Sequence, residues 1–250
     1  MSNAVSGRIA VITTCPELGR IVIPPDVPDG FRVFYTTIDF DGRIDDRIRN
    51  FVAPATLSSA HQVHGATILR APVDEQQCDA LWTDQPQTAL AIKVSDYLPV
   101  SIIDPQHSVM ANIHSGWRGA VQQIVAKTLD AAPLHPAHSI AFFGPTIRVC
   151  CFEVGEEVAV QFPEEFVNRT PGPKPHVDVA AFTAAILRVR GFERIVDTGL
   201  CTRCNHGVTE LPGYQVSEER QPGNLATWQP LFHSYRRDKK SGRNLAIVAS

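Results

Sequence analysis

The sequence predicts an α+β fold in which a mixed β-sheet is covered by helices, and three observations carry that reading. The N-terminal third is dominated by short runs rich in β-branched and aromatic residues. Two long stretches beyond residue 116 place their apolar residues at helical spacing. The chain then closes on another apolar run, LAIVAS. Strands mixed with about four helices bury their apolar faces best as helices laid on a sheet.

The elements follow in order. GRIAVITT, FRVFYTT, HQVHGATIL and ALAIKV read as strands, and a short helix is expected around residues 45–51, ending before Pro54. LPVSII and SVMANIH form a hairpin, closed by Asp104-Pro105-Gln106-His107, residues suited to a turn. AVQQIVAKTLDAA sets Val121, Ile124, Val125, Thr128 and Leu129 on one helical face and stops near Pro133. SIAFFG is a strand and GEEVAVQF a helix. VAAFTAAILRVRG is a clearer helix, with Val179, Phe182, Ile186 and Val189 on one side and Gly191 as its stop. ERIVDTG adds a strand. No repeat or low-complexity linker interrupts the 250 residues, so one domain over 1–250 is expected.

Composition narrows the function. A formal charge of -3 gives no broad electrostatic reason to bind nucleic acid or an anionic membrane, so any anion must be held locally. The N-terminus lacks a basic segment followed by a sustained apolar one, and no window approaches the roughly 18 apolar residues of a spanning helix. A cytoplasmic location is therefore expected. Six cysteines in a chain of this length, two of them adjacent, read as reduced thiols rather than a disulfide framework.

The hairpin concentrates the chemistry. A four-residue loop at 104–107 puts Ile103 opposite Ser108 and, by the same register, Tyr97 opposite His114. Directly opposed residues have Cβ atoms about 4.5–5.5 Å apart, close enough to share a ligand. The chain leaves His114 through Ser115-Gly116-Trp117-Arg118-Gly119 into the helix. That turn reads either as an anion cradle with Arg118 as a fork of donors or as a tight strand-to-helix connection. In HQVHG, a strand would point His61 and His64 to opposite faces, so at most one serves a given site; a hydrogen-bonded structural histidine is the plainer reading. CTRCNH at 201–206 resembles half of a zinc site, whose other half is missing unless Cys150 and Cys151 are brought near it. SYRRDKKSGRN at 234–244 is a basic cluster without interleaved aromatics, in which either Arg236 or Arg237 can point inward.

Taken together, QVHG at 62–65, DALWTD at 79–84, SDYLPV at 95–100, HSGWRG at 114–119, GPTIRVCCFEVG at 144–155, CT at 201–202 and FHSYRRDKKSGR at 232–243 resemble the YfiH-type laccase-domain family. That family is also described as multicopper polyphenol oxidoreductase, purine nucleoside phosphorylase and peptidoglycan editing factor. The resemblance implies a three-layer α/β/α fold with a mixed sheet, similar to the catalytic domain of cytotoxic necrotizing factor toxins. It implies zinc held by the histidine of Q-x-H-G, the cysteine of D-C-x-P and the histidine of H-x-G-W-R-G. His64 and His114 match two of these; Tyr97 stands at the third. A phenol ionises near pH about 10, against about 8.5 for a thiol, and is a harder ligand, so metal affinity is expected to fall. Two further departures are Thr37-Ile38-Asp39-Phe40-Asp41 for a T-R-x-G-G-x-S stretch and Asn50-Phe51 for an Asn-Arg pair.

The chemistry so implied is phosphorolysis of adenosine, inosine or related nucleosides, with adenosine deamination as a second activity. Small-molecule nucleoside and phosphate are then the partners, not nucleic acid or membrane. His64 and His114 would hold zinc or act as acid and base, and Asp96 would orient one imidazole. Tyr97 would donate a proton or ligate weakly, while Arg118, Gln62 and Arg236 would meet phosphate and substrate. The alternative is a non-catalytic relative that keeps the fold as a ligand-binding or regulatory module. Copper-dependent phenol oxidation is the weakest reading, because only HQVH brings two histidines close in sequence.

Overall fold

The structure, a computed structural model, describes residues 10–170, 172–205, 229–239 and 242–250. Residues 7–9 of the first expected strand, Pro171, His206 of the CTRCNH stretch, and Lys240 and Ser241 of the basic cluster lie outside the described residues.

The chain is α+β with mixed strand pairing, as its sequence predicts, but the strands are shared between two sheets rather than gathered in one. The first comprises β1 (Val11–Cys15), β2 (Gly19–Ile23), β3 (Arg32–Thr36), β4 (Thr56–His61), β6 (Asp74–Gln77), β8 (Thr88–Val94) and β15 (Asn244–Ala249), in the order β1-β2-β3-β15-β8-β4-β6. The second comprises β5 (Ile68–Arg70), β7 (Ala80–Thr83), β9 (Leu98–Asp104), β10 (Val109–Ser115), β11 (Ile140–Phe143) and β14 (Arg194–Asp197), in the order β14-β11-β9-β10-β7-β5. β12 (Val167–Asn168) and β13 (His176–Val177) form a small separate pair.

The two large sheets stack face to face. Leu90, Ile92, Ala246 and Val248 of the first meet Ile103, Met110, Ile140 and Phe142 of the second in one core. Alternation along each strand sends the neighbouring residues outward. Ala89, Ala91, Leu245 and Ile247 pack under Ile48 and Val52 of α1 (Asp46–Val52). Val100, Ile102, Ala111 and Ile113 pack under Ile124, Val125 and Leu129 of α3 (Ile124–Ala131) and Leu187 of α5 (Val179–Val189). The layers therefore run helix, sheet, sheet, helix, with a doubled middle. Asn112 stitches that middle together: its Nδ2 donates to the carbonyls of Leu90 and Ala246 across the sheets, at 2.8 Å each.

Several local expectations shift. The helix expected after HSGWRG is two: α2 (Trp117–Val121) and α3, broken where Gln123 takes a left-handed φ of 62°. GEEVAVQF yields only the short α4 (Glu156–Ala159). In α5, Val189 is 87% exposed, so the buried face runs through Val179, Phe182 and Leu187 instead. β4 ends at His61, so His61 and His64 do not share a strand. Among the described residues no helix is long and apolar enough to cross a membrane.

Candidate functional site

The C-terminal ends of β4, β8 and β10 open onto one cavity of about 650 Å³, the mouth of the gap between the sheets. Along β10, Met110 and Asn112 face the other sheet, and the same parity turns His114 to that side where the strand runs out. The register differs from expectation. Asp104 pairs with Val109, so His114 faces Pro99, and the loop is residues 105–108. Tyr97 lies one step beyond the last pair, where its ring covers Gly116: a Cβ there would approach the ring to 3.0 Å. Gly119 is equally confined, with room for a Cβ only 3.2 Å from the Gly65 carbonyl oxygen. The glycines of HSGWRG thus allow the turn to press against Tyr97 on one side and the His64 loop on the other.

His64, Tyr97 and His114 come together as a near-equilateral triangle of rings. Their centroids lie 5.1 Å (His64 to Tyr97), 5.3 Å (His64 to His114) and 5.1 Å (Tyr97 to His114) apart. His64 stands on a turn at φ 61°, a conformation uncommon for a residue with a Cβ. Asp79 holds it there. The Asp79 carboxylate, fully buried at the start of β7, accepts the backbone N–H groups of Val63, His64 and Gly65 at 3.3, 3.0 and 2.8 Å. It also lies 2.9 Å from Nδ1 of the buried His114.

These contacts fix protonation states. Burial alone would raise the Asp79 carboxyl, but the hydrogen bond with His114 and those from the loop backbone outweigh it, and the net shift is downward. An ionised Asp79 only accepts, so it selects the His114 tautomer with the proton on Nδ1, in which Nε2 is the nitrogen available to a ligand. Burial, with the neighbouring His114, holds His64 below the usual imidazole range. Burial likewise pushes the Tyr97 phenol up, keeping it protonated. His64, Asp79 and His114 form a group whose potential ligand atoms lie within 4.8 Å of one another. The donor set fits a metal that accepts neutral imidazole nitrogen, with Asp79 as the carboxylate behind the histidine.

The remaining expected residues divide. Gln62, Asp96 and Arg236 line the cavity with Trp117, Ile147 and Phe152. Asp96 does not orient an imidazole, a role that falls to Asp79. Its carboxylate instead accepts Thr202 Oγ1 and the Arg236 backbone N–H, each at 2.7 Å, while its own carbonyl accepts Thr146 Oγ1 and the Ile147 N–H. From a strained φ of 73°, it pins three segments of the cavity wall together. Arg236 donates to the Glu153 carbonyl at 2.9 Å, and its neighbour Arg237 turns to the carbonyls of Thr202 and Phe232. Arg118 is not among the lining residues; its guanidinium lies 4.5 Å over the Trp117 ring. Lys93, Lys239 and Arg243 add positive charge to the rim. Sequence reasoning missed Asp79 as a site residue. Its only signal was the acidic residue opening DALWTD.

Two imidazoles, one backed by a buried carboxylate, and a protonated phenol at the mouth of a cavity make a site suited to metal binding or proton transfer. Residues 44–208 match the family model described as multi-copper polyphenol oxidoreductase laccase, and the chain belongs to that family. A purine nucleoside phosphorylase of Pseudomonas aeruginosa is 30% identical over 190 residues, 75% of this chain and 71% of the relative. An adenosine deaminase from an unknown prokaryotic organism is 32% identical over 151 residues, 54% of this chain and 58% of the relative. The crystal structure of the Bacillus licheniformis hypothetical protein YfiH superimposes with a TM-score of 0.74 at 19% identity, covering 92% of this chain and 96% of that one, and so shows the same fold.

Proposed function

We propose that this protein is a zinc-dependent purine nucleoside phosphorylase that cleaves adenosine or inosine with phosphate, with adenosine deamination as a second activity. The observation that carries the reading is the His64, Tyr97 and His114 triangle with Asp79 behind it. The names of the relatives agree with it. His64 and His114 would hold zinc through their unprotonated nitrogens, and the ion would supply a Lewis acid beside the reacting centre.

The chain's own residues account for the rest. Arg236, with Lys93, Lys239 and Arg243 on the rim, draws the phosphate dianion into the cavity. A phosphate oxygen forms its bond to the anomeric carbon as the bond to the purine nitrogen breaks, and the electron pair leaves with the base. Tyr97, held protonated, gives its hydroxyl proton to that base and regains one from water. Asp79 keeps the His114 ring and the His64 loop in place throughout. Trp117 and Phe152 offer apolar faces to a purine.

A second reading has its own observation: Tyr97 stands at the third corner, where the family resemblance implies a zinc-ligand cysteine, which favours a relative that binds a nucleoside without turning it over. Base release from adenosine and inosine, measured with phosphate and zinc for the natural protein and for Tyr97→Cys, separates the two. Activity in the natural protein, lost in His114→Ala, supports the phosphorylase. Activity only in Tyr97→Cys, with nucleoside binding by calorimetry in both, supports the binding protein. Silence and no binding in both overturns either reading.

A further inference from the structure

On the far side of the cavity wall, four of the six cysteines converge. Cys150 and Cys151 stand on the turn after β11, where the N–H groups of Cys151 and Phe152 both return to the Arg148 carbonyl at 2.8 Å. Cys201 and Cys204 stand on the turn after β14, with the two-residue spacing of a zinc knuckle. Backbone pairing joins the turns: Thr146 bridges Cys201, and the Thr202 N–H donates to the Thr146 carbonyl at 3.0 Å. The four sulfurs lie within 4.8 Å of one another, and those of Cys150 and Cys204 are 3.7 Å apart. At a zinc–sulfur distance near 2.3 Å, a regular tetrahedron spaces its sulfurs about 3.8 Å apart.

We propose that Cys150, Cys151, Cys201 and Cys204 bind a structural zinc ion as a closed tetrathiolate site, distinct from the histidine site. All four protein ligands are present, so no position is left open for substrate, which marks a structural rather than a catalytic ion. Four thiolates select a soft or borderline metal over magnesium or calcium. Cys151 and Cys201 are buried, while Cys150 is exposed, which gives the ion a path in. Arg148, on the first turn, links it to the second through the Leu200 carbonyl, with its charge paired to Asp197. The site also has a consequence for the cavity. Ile147 and Phe152, which line it, flank the first cysteine pair, and Thr202, which holds Asp96, lies between the second. The ion would tie these two wall segments together in addition to the backbone pairing at Thr146.

Zinc and cobalt titration of the reduced, full-length chain tests this without reference to activity. In the His64→Ala/His114→Ala variant, one zinc per chain is expected to remain. Cobalt in the same variant should give an intense thiolate-to-metal charge-transfer band. Four of the six thiols should be shielded from a thiol reagent until a chelator is added. Cys201→Ser/Cys204→Ser should lose that ion and the band; should this variant fail to fold, the shielding measurement on the natural chain still decides. Absence of both the band and the shielding would overturn the site. So would a Cys150–Cys204 disulfide found by mass spectrometry in protein isolated anaerobically, which would make the cluster a redox pair. The histidine variant separates this test from the proposed activity, because phosphorylase chemistry can fail while the tetrathiolate ion persists.

Discussion

Among the described residues, the Asp79 carboxylate is met by three backbone N–H groups and the His114 ring. Replacing it with asparagine keeps the shape but puts an amide where a carboxylate held Nδ1–H, weakening the preference for the tautomer with a free Nε2. Asp79→Asn is expected to lower metal affinity or turnover by about 10–100-fold, read as bound metal and as kcat, with a smaller change in KM. Gly116→Ala tests the opposite corner. Its new Cβ would sit 3.0 Å from the Tyr97 ring, so the ring must move. Turnover should fall, while far-ultraviolet circular dichroism stays native. His64 and His114 were legible because short motifs carry them. Asp79 was not, because it meets His114 across 35 residues of sequence and three intervening strands, a separation no spacing rule spans. Tyr97 was placed on the correct side although its partner was wrong. The register error was two residues, and only an odd shift moves a side chain to the other face.

The source of that error is itself an element-scale device. The sequence places Asp104 in the loop, yet it belongs to β9 and caps the hairpin from within. Fully buried, it accepts the N–H groups of Gln106 and His107 at 3.2 Å and of His135 at 3.0 Å, with the rings of His107 and His135 beside it. Burial works to raise its carboxyl, but the backbone N–H of His135 and the contacts with His107 prevail, leaving it below the usual range. A carboxyl whose folded pKa lies below its unfolded value, about 3.9, stabilises above that value, and the contribution is lost as pH falls through the folded pKa. Asp104→Asn is therefore expected to cost about 1–3 kcal/mol in urea unfolding at neutral pH. The difference should shrink below pH about 4, and a pH-independent difference would count against the ionised cap. The helix break at Gln123 escaped the sequence for a related reason: apolar periodicity continues through it, and only the backbone turns. The division into two sheets escaped because β9 and β10 are buried at every residue, so no polar alternation marks which face meets helices and which meets a second sheet.

Over the whole molecule, charge is distributed against its sum. The chain carries a net -3, yet Lys93, Arg236, Lys239 and Arg243 gather at one cavity, with Asp96 as the carboxylate that faces them. Asp96 is already bound to Thr202 and the Arg236 backbone, and Lys93 to Glu75 at 2.8 Å, yet the cavity keeps an excess of positive over negative side chains. Under the proposed activity, a phosphate there would meet several exposed or half-exposed cations rather than one buried partner. Such an interaction is screened by salt, because the Debye length falls from about 10 Å at 0.1 M to about 3 Å at 1 M. An uncharged nucleoside in the same cavity would be held by stacking and hydrogen bonds that salt hardly touches. Under the proposed activity, initial-rate measurements over that salt range should show the phosphate KM rising several-fold while the inosine KM holds nearly constant. Equal rises in both would mean that salt acts on the fold or on nucleoside packing. An unchanged phosphate KM would mean that the anion is bound by buried donors deeper than the rim, and that the cationic mouth serves some other ligand.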